Sequence, residues 1–321
     1  MRIILTGGVG FIGSVLLSEL NHKGLDDILL VDELNDPVKE KNIKGKKFKD
    51  LIDKDEFIGL VAKNKFAGYD LILHIGACSS TILPDRDYYQ KNNFEYTRTL
   101  AEYALQREMR FLYASSAATY GDGSLGFSDE DSETVKLKPL NFYGESKHRF
   151  DLWVLKNNLQ KKFVGFKFFN VFGPNEYHKG EMMSLICKRF KDVMRDKKIR
   201  LFKSYNREYP DGGQKRDFIY VKDAVQMVYY FIENPDKAGI YNVGTGKARS
   251  WNDLAKALFA ALNIPLNIEY IEMPEILRDK YQYFTQADMA KLGRTGYNWP
   301  TASLESAVAD YVSYLSEGSY L

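Results

Sequence analysis

The sequence predicts an α/β protein built on a doubly wound parallel sheet, with a smaller α/β lobe contributed mainly by its carboxyl-terminal half. Three observations carry that expectation. Short apolar runs alternate with longer amphipathic stretches through about the first 170 residues. The runs are continuously apolar rather than alternating, as strands covered on both faces are. A cluster of glycines lies where the first run gives way to the first helical stretch.

In chain order, a strand is expected at Ile3–Leu5 and an amphipathic helix at Phe11–His22. A second strand, Ile28–Val31, ends in Asp32-Glu33. Lys39–Lys49 reads as a charged, solvated connection. Leu71–His74 and Phe111–Tyr113 continue the sheet on either side of a helix at Tyr88–Arg107. A helix at Tyr143–Asn158 leads into Phe163–Phe168. Regularity then weakens. A helix at Met182–Arg195 precedes a short strand at Ile199–Phe202, and the polar loop Tyr205–Lys215 leads to Asp217–Val221. On this reading one domain spans residues 1–170 and a second lobe 171–321, with a segment at about 215–245 returning to the first.

Composition excludes several classes. Hydrophobic residues at 45% and charged ones at 27% are those of an ordinary soluble globular chain. The net charge of +2 is too balanced for a nucleic-acid or membrane-surface protein. Cys78 and Cys187 have no metal-ligand spacing, so reduced, buried thiols and no metal site are expected. The amino terminus enters a strand pattern at once, with no charged n-region. No apolar run approaches the ~20 residues of a membrane span. The expectation is a cytoplasmic protein.

The glycines carry the first chemical signal. In ILTGGVGFIGS, Gly7, Gly10 and Gly13 follow a strand and open a helix. Only glycine lets the backbone turn so tightly and approach a pyrophosphate, which the unpaired N–H groups of a helix start then hold. Asp32 closes the second strand roughly 20 residues on, where an acid takes the adenosine ribose hydroxyls. Such an acid favours NAD, whereas Lys39 and Lys54 downstream can reach a 2′-phosphate. A Rossmann-type dinucleotide site follows.

The second signal is Ser116, at a strand end, with Tyr143 and Lys147 one helical turn apart on a single face. A phenol is a poor base at neutral pH unless nearby positive charge favours its ionised form. Lys147 and an oxidised nicotinamide supply that charge, and Ser116 can hydrogen-bond the same alcohol or carbonyl oxygen. His74 and His178 have no partner cluster spaced for a metal and read as structural or hydrogen-bonding residues.

These motifs resemble the extended short-chain dehydrogenase/reductase superfamily acting on nucleotide sugars. The resemblance rests on TGGVGFIGS, SSAATYG, YGESK, RDFIYVKDA (Arg216–Ala224) and YNVGTG (Tyr241–Gly246). It implies a substrate-binding lobe at the carboxyl end and a cleft between lobe and sheet. Dehydratases of that group carry Asp-Glu after the catalytic Ser/Thr, and Ala117-Ala118 stands here instead. GACSST (Gly76–Thr81), FNVFGP followed by HKG, KRDFIYV (Lys215–Val221) and YQYFTQAD (Tyr281–Asp288) are similar to the ADP-L-glycero-D-manno-heptose 6-epimerase family.

That resemblance implies inversion at C6″ of ADP-heptose through a transient ketone, for lipopolysaccharide core synthesis in a Gram-negative bacterium. Tyr143 and Lys179 are the two acid/base groups it implies, with NADP as cofactor, NAD less favoured, and a homo-oligomer, a pentamer in the family. Phe11, Ile12, Asp32, Glu33, Lys39, Lys54, Ile75, Gly76, Ala77, Cys78, Ser79, Asn92, Lys147, Val171 and Lys179 match its cofactor-facing positions. Ser116, Asn170, Glu181, Lys188, Phe202, Lys203, Ser204, Tyr205, Arg216 and Tyr281 match its substrate-facing ones. Ile75, Glu181 and Lys188 depart from the family's usual residues, and Tyr205–Lys215 is longer. The alternatives are a UDP-hexose 4-epimerase type of enzyme and a non-catalytic dinucleotide-binding scaffold. The intact Ser116, Tyr143 and Lys147 set argues against the scaffold.

Overall fold

A computed structural model describes residues 1–278 and 281–321. Seven parallel strands form the main sheet, in the order β10-β6-β5-β4-β1-β2-β3. They are β1 Ile3–Thr6, β2 Ile28–Asp32, β3 Asp50–Asp53, β4 Leu71–His74, β5 Arg110–Ser116, β6 Val164–Phe168 and β10 Gly239–Val243. The order reverses between β1 and β4, so their carboxyl ends open a crevice at the switch point, where such folds bind ligands.

Side-chain alternation assigns each strand residue to one of two cores. Ile3, Leu5, Leu71 and Leu73 join the helices Phe11–His22 and Val221–Glu233 on one face. Ile4, Leu29, Ile72 and Phe111 join the helices Lys54–Ala62, Tyr96–Gln106 and Phe142–Lys156 on the other. Residues 221–243 thus cover the sheet and extend it, because β10 pairs in parallel with β6.

Two small sheets build the rest. β7 (Asn170–Phe172) pairs in parallel with β9 (Lys215–Tyr220), and β9 pairs antiparallel with β11 (Ala248–Ser250). β8 (Ile199–Phe202) pairs with β12 (Ile268–Ile271). β7 begins two residues after β6 ends, so the chain leaves the main sheet directly over the crevice.

The Lys39–Lys49 segment is more ordered than a solvated connection. Asp36 caps a short helix at Pro37–Glu40 by accepting from the Val38 and Lys39 N–H groups. Asn42 is buried and donates to the Val9 and Asn175 carbonyls at 3.0 and 3.1 Å. Lys46 turns inward and donates to the Ser14 carbonyl at 2.6 Å. Burial brings its amine down to about 7 from the ordinary 10.5. Between those values the unfolded chain holds a proton that the folded chain has released, so stability rises with pH across that window. Lys46→Met is expected to flatten that slope and to be most stabilising, relative to the parent, near neutral pH. Urea midpoints at pH 7 and pH 10 measure the difference.

Among the described residues no helix is long and apolar enough to cross a membrane. Cys78 and Cys187 are unpaired, and each is half-buried rather than fully buried.

Candidate active site

Gly7 follows β1 at φ +70°, where an added Cβ would lie 2.5 Å from the Gly76 nitrogen. A Cβ on Gly13 would overlap the Gly7 carbonyl oxygen. Glycine is therefore required at both places, and the loop presses against Gly76 at the end of β4. No side chain caps the helix start at Gly10, leaving its first N–H groups and positive end for an anion. The cradle fits a dinucleotide pyrophosphate.

Asp32 has a duty the spacing did not disclose. Its Oδ2 accepts the Val9 and Gly10 N–H groups at 2.8 and 3.1 Å. Its Oδ1 accepts from the Glu33 N–H and pairs with the Lys39 ammonium. The carboxylate expected on ribose hydroxyls is thus engaged in shaping the glycine loop and is neutralised by Lys39.

The cleft over this loop has a volume of about 850 Å³ and is lined by Gly7, Gly10, Phe11, Ile12, Gly13, Asp32, Glu33, Lys39, Ile75, Gly76, Ala77, Ser79, Ser116, Tyr143, Lys147, Asn170, Val171 and Lys179. A smaller hollow of about 180 Å³ adjoins it and adds Lys54, Cys78 and Asn92. Every residue expected to face the cofactor lines one or the other. Asn92 sits in a π-helical turn, Gln90–Glu95, a widening found often at functional sites.

The sequence reading missed the neighbouring Asn93. Its amide accepts the Cys78 N–H at 2.9 Å and donates to the Cys78 carbonyl and the Ser146 hydroxyl at 3.0 and 3.1 Å. It clamps the loop after β4 to the helix bearing Tyr143. Its sequence signal, an Asn-Asn pair within a helical stretch, was weak.

Ser116 ends β5, and Tyr143 enters the helix Phe142–Lys156 just after the Asn141 cap, which accepts the Gly144 N–H at 2.8 Å. Both face the cleft. Burial raises the Tyr143 phenol, the Ser116 hydroxyl bonded to it pulls the other way, and Cys78 and Tyr89 push it up further. Lys147 is buried and donates to the Ala114 carbonyl at 2.7 Å. Burial brings its amine down to about 8, while Asp151 and Cys78 oppose the shift. In the chain alone burial therefore favours Tyr143 as a neutral phenol, while Lys147 donates to the Ala114 carbonyl of β5. Behind them His74 is buried, sharing hydrogen bonds with Thr6 at 2.6 Å and Thr97 at 2.8 Å. Burial and the Lys147 charge depress it to about 3, so it is a neutral structural ring.

Lys179 reaches the cleft from the segment after β7. Its Nζ lies 5.0 Å from the centre of the Phe11 ring, at the start of the pyrophosphate helix. Burial lowers the amine, opposed by the charges of Glu176 and Cys187. His178 beside it shares a 3.3 Å contact with Asn42, and burial with the Lys39 and Lys179 charges depresses it to about 4. Tyr143 and Lys179 both line this cleft, one from the helix Phe142–Lys156 and the other from the segment after β7.

The expected substrate-facing residues divide into three groups. Asn170 lies on the cleft wall with Val171. Arg216 is buried, with its guanidinium 5.2 Å from the Tyr281 ring centre and 6.0 Å from that of Trp251. Trp251, which the sequence reading missed, lines the cleft and donates to the Tyr281 hydroxyl at 3.0 Å. Among the described residues no carboxylate pairs with Arg216, whose contact is the Lys215 carbonyl at 2.8 Å. A buried guanidinium without a counterion suits a diphosphate.

Phe202, Lys203, Ser204 and Tyr205 lie at the end of β8 and beyond the cleft lining. Lys203 pairs with Glu272 at 2.6 Å, the Tyr205 hydroxyl donates to Glu272, and Arg278 stacks on the Tyr205 ring at 3.9 Å. The Ser204 N–H donates to Asp211 at 2.7 Å. Glu181 and Lys188 pair with each other at 2.9 Å, with the Glu181 side chain largely exposed. The structure does not bring these six into the cleft, and Arg216 and Tyr281 also stand outside its lining, next to the lining residue Trp251. Among the described residues no cluster of His, Cys, Asp and Glu is arranged to hold a metal.

Residues 3–244 match the model of the NAD dependent epimerase/dehydratase family. The chain belongs to that family. Within the NAD dependent epimerase/dehydratase family, it is 48% identical over 310 residues to the ADP-L-glycero-D-manno-heptose-6-epimerase of Nitratidesulfovibrio vulgaris, covering 96% of each chain. It is 46% identical to the enzyme of that name from Fusobacterium nucleatum, covering 99% of this chain and 100% of the other. The crystal structure of the Helicobacter pylori ADP-L-glycero-D-manno-heptose-6-epimerase superposes with a TM-score of 0.81 at 27% identity, covering 98% and 96% of the two chains.

Proposed function

We propose that this protein inverts C6″ of ADP-D-glycero-D-manno-heptose to give the L-glycero epimer, the heptose donor of lipopolysaccharide core synthesis. The observation that carries the reading is one cleft lined by the glycine cradle, Ser116, Tyr143 and Lys179 in a chain alike over its whole length to enzymes of that name. A nicotinamide dinucleotide held by the glycine cradle would supply the acceptor and donor of the C6″ hydride, and its positive charge would favour the ionised form of Tyr143.

The chain's own groups handle the oxygen. Ser116 and Tyr143 hold the C6″ hydroxyl on one side, and Tyr143 removes or restores its proton. Rotation about the exocyclic bond turns the ketone over, and the oxygen then lies away from Tyr143. Lys179, which lines the same cleft, serves that second position. Desolvation lowers its amine, which eases proton release. Tyr143 serves one epimer and Lys179 the other. Arg216, flanked by Tyr281 and Trp251, holds the diphosphate.

NADP is the cofactor this reading favours. Two features support it: Asp32 is neutralised by Lys39 and engaged by the Val9 and Gly10 N–H groups, and Lys54 lines the adjoining hollow. A hydrogen bond to a charged group contributes about 1.5–3 kcal/mol, so Lys39→Ala is expected to weaken NADP by about tenfold or more and NAD little. Titration of the emptied protein with each dinucleotide checks it. The same reading expects a homo-oligomer in the cytoplasm, five copies by the family resemblance, which sedimentation equilibrium would count.

The test of function is to incubate the purified protein with ADP-D-glycero-D-manno-heptose, without added cofactor, and follow C6″ by NMR. Inversion is expected. No inversion, with UDP-galactose epimerised instead, would assign it to the 4-epimerase type.

A further inference from the structure

We propose that Glu176 is the positioning residue for Lys179: its buried carboxylate closes the loop between Gly173 and Ser184 and sets a negative charge near the Lys179 amine without pairing with it. This rests on Lys179 being the second acid/base group.

Glu176 is fully buried, at 0% exposure. Its Oε1 accepts the Gly173 N–H at 3.3 Å, the Ser184 hydroxyl at 2.6 Å and the Tyr311 hydroxyl at 2.9 Å, and its Oε2 accepts the Ser184 N–H at 2.6 Å. Burial raises the Glu176 carboxyl, opposed by the Lys179 charge and the Ser184 and Tyr311 hydrogen bonds, and two of the donors are main-chain N–H groups that can only donate, as an ionised carboxylate requires. They come from both ends of the loop and from the helix Leu304–Glu317, so one side chain fixes the loop from three directions. The Lys179 N–H donates to the Glu176 carbonyl at 3.0 Å, which makes the turn between them tight.

Burying a carboxylate costs several kcal/mol, and an apolar plug would close the loop more cheaply. What the charge adds is a field. Among the described residues no cation lies within ion-pair distance of Glu176, and the cation acting on it is Lys179. A carboxylate in direct contact would hold the ammonium away from the cleft. Set back and occupied by four neutral donors, it leaves Nζ free over Phe11.

The other groups facing this pair are few. Cys187, from the helix Leu185–Asp196, faces both Lys179 and Glu176, and Tyr311 and Tyr177 face Glu176. His178 adjoins Lys179 but is turned toward Asn42, with Lys39, Asp36 and Asp32 around it. Phe11, on the cleft side, carries no charge. Desolvation lowers the Lys179 amine and the Glu176 charge holds it up. Removing that charge therefore moves the titration to lower pH.

The experiment reads Lys179 directly and needs no turnover. Full-length protein is reductively methylated with ¹³C-formaldehyde, and the Lys179 signal, identified by its loss in Lys179→Met, is titrated by NMR. Glu176→Gln keeps the shape and removes the charge, so the midpoint is expected to fall by about one unit or more. Tyr311→Phe removes one hydrogen bond, keeps the charge and is expected to leave the midpoint in place. An unchanged midpoint in folded Glu176→Gln overturns the proposal and leaves Glu176 a structural residue. Should Glu176→Gln not fold, Glu176→Asp draws the charge back by one methylene and is expected to lower the midpoint by less. An unchanged or raised midpoint there overturns it equally. Absence of ADP-heptose inversion in the parent protein would refute the functional reading separately, since the titration does not depend on it.

Discussion

Tyr143→Phe and Lys179→Met are each expected to lower kcat for C6″ inversion by about 10²–10⁴-fold, the usual contribution of a positioned acid or base. Both should retain the cofactor, because the cradle of Gly7, Gly10 and Gly13 is untouched. The reason for two large losses is geometric. The C6″ oxygen occupies different places before and after rotation, and one fixed phenol reaches one of them. The pH dependence has a matching sign. Burial raises Tyr143, so the base form gains population as pH rises and the step that needs it accelerates toward alkaline pH. Tyr143→Phe should remove that limb from the kcat profile. Near-normal turnover in cofactor-loaded Lys179→Met would end the two-group reading.

Asp151→Ala is expected to destabilise the fold by about 3–5 kcal/mol, the cost of leaving a buried charge unpaired. Lys167 of β6 and Asp151 pair at 2.8 Å with both side chains at 0% exposure. Asp151 also accepts the Tyr113 and Ser115 hydroxyls at 3.0 and 2.7 Å, and Lys167 donates to Thr119 at 2.9 Å. Removing the acid strands the ammonium among aromatic and hydroxyl groups beneath the strand end that presents Ser116. The double change Asp151→Leu with Lys167→Met is expected to recover much of the loss, because no unpaired charge remains. Urea unfolding of the parent, Asp151→Leu, Lys167→Met and the double variant completes the cycle.

The strands at the centre of the sheet were legible because covering on both faces requires unbroken apolar runs, as in β1, β2, β4, β5 and β6. β3, Asp-Leu-Ile-Asp, is an edge strand with no fully buried residue, so its run is too short and too acidic to show. β10 joins β6 across about 75 residues, and no local pattern reveals such a pairing.

The site followed the same rule. Gly7, Ser116, Tyr143 and Lys147 were readable because their chemistry depends on local spacing, whereas Lys179 was implied only by the family resemblance. Trp251 behind Arg216, Tyr311 on Glu176 and Asn42 under Val9 are long-range contacts between ordinary residue types, and nothing local announces them. Asp32 shows the intermediate case: spacing located the acid, but which donors it would hold depended on how the glycine loop folds back over it.

Substrate deuterated at C6″ separates hydride return from proton exchange at that carbon. Converted by the purified protein in ordinary water, it should give the L-glycero epimer with the deuterium still at C6″, because oxidation and return occur at the same carbon inside one cleft. Replacement of the label by solvent hydrogen would contradict the account, since it would mean inversion by proton removal and return at C6″.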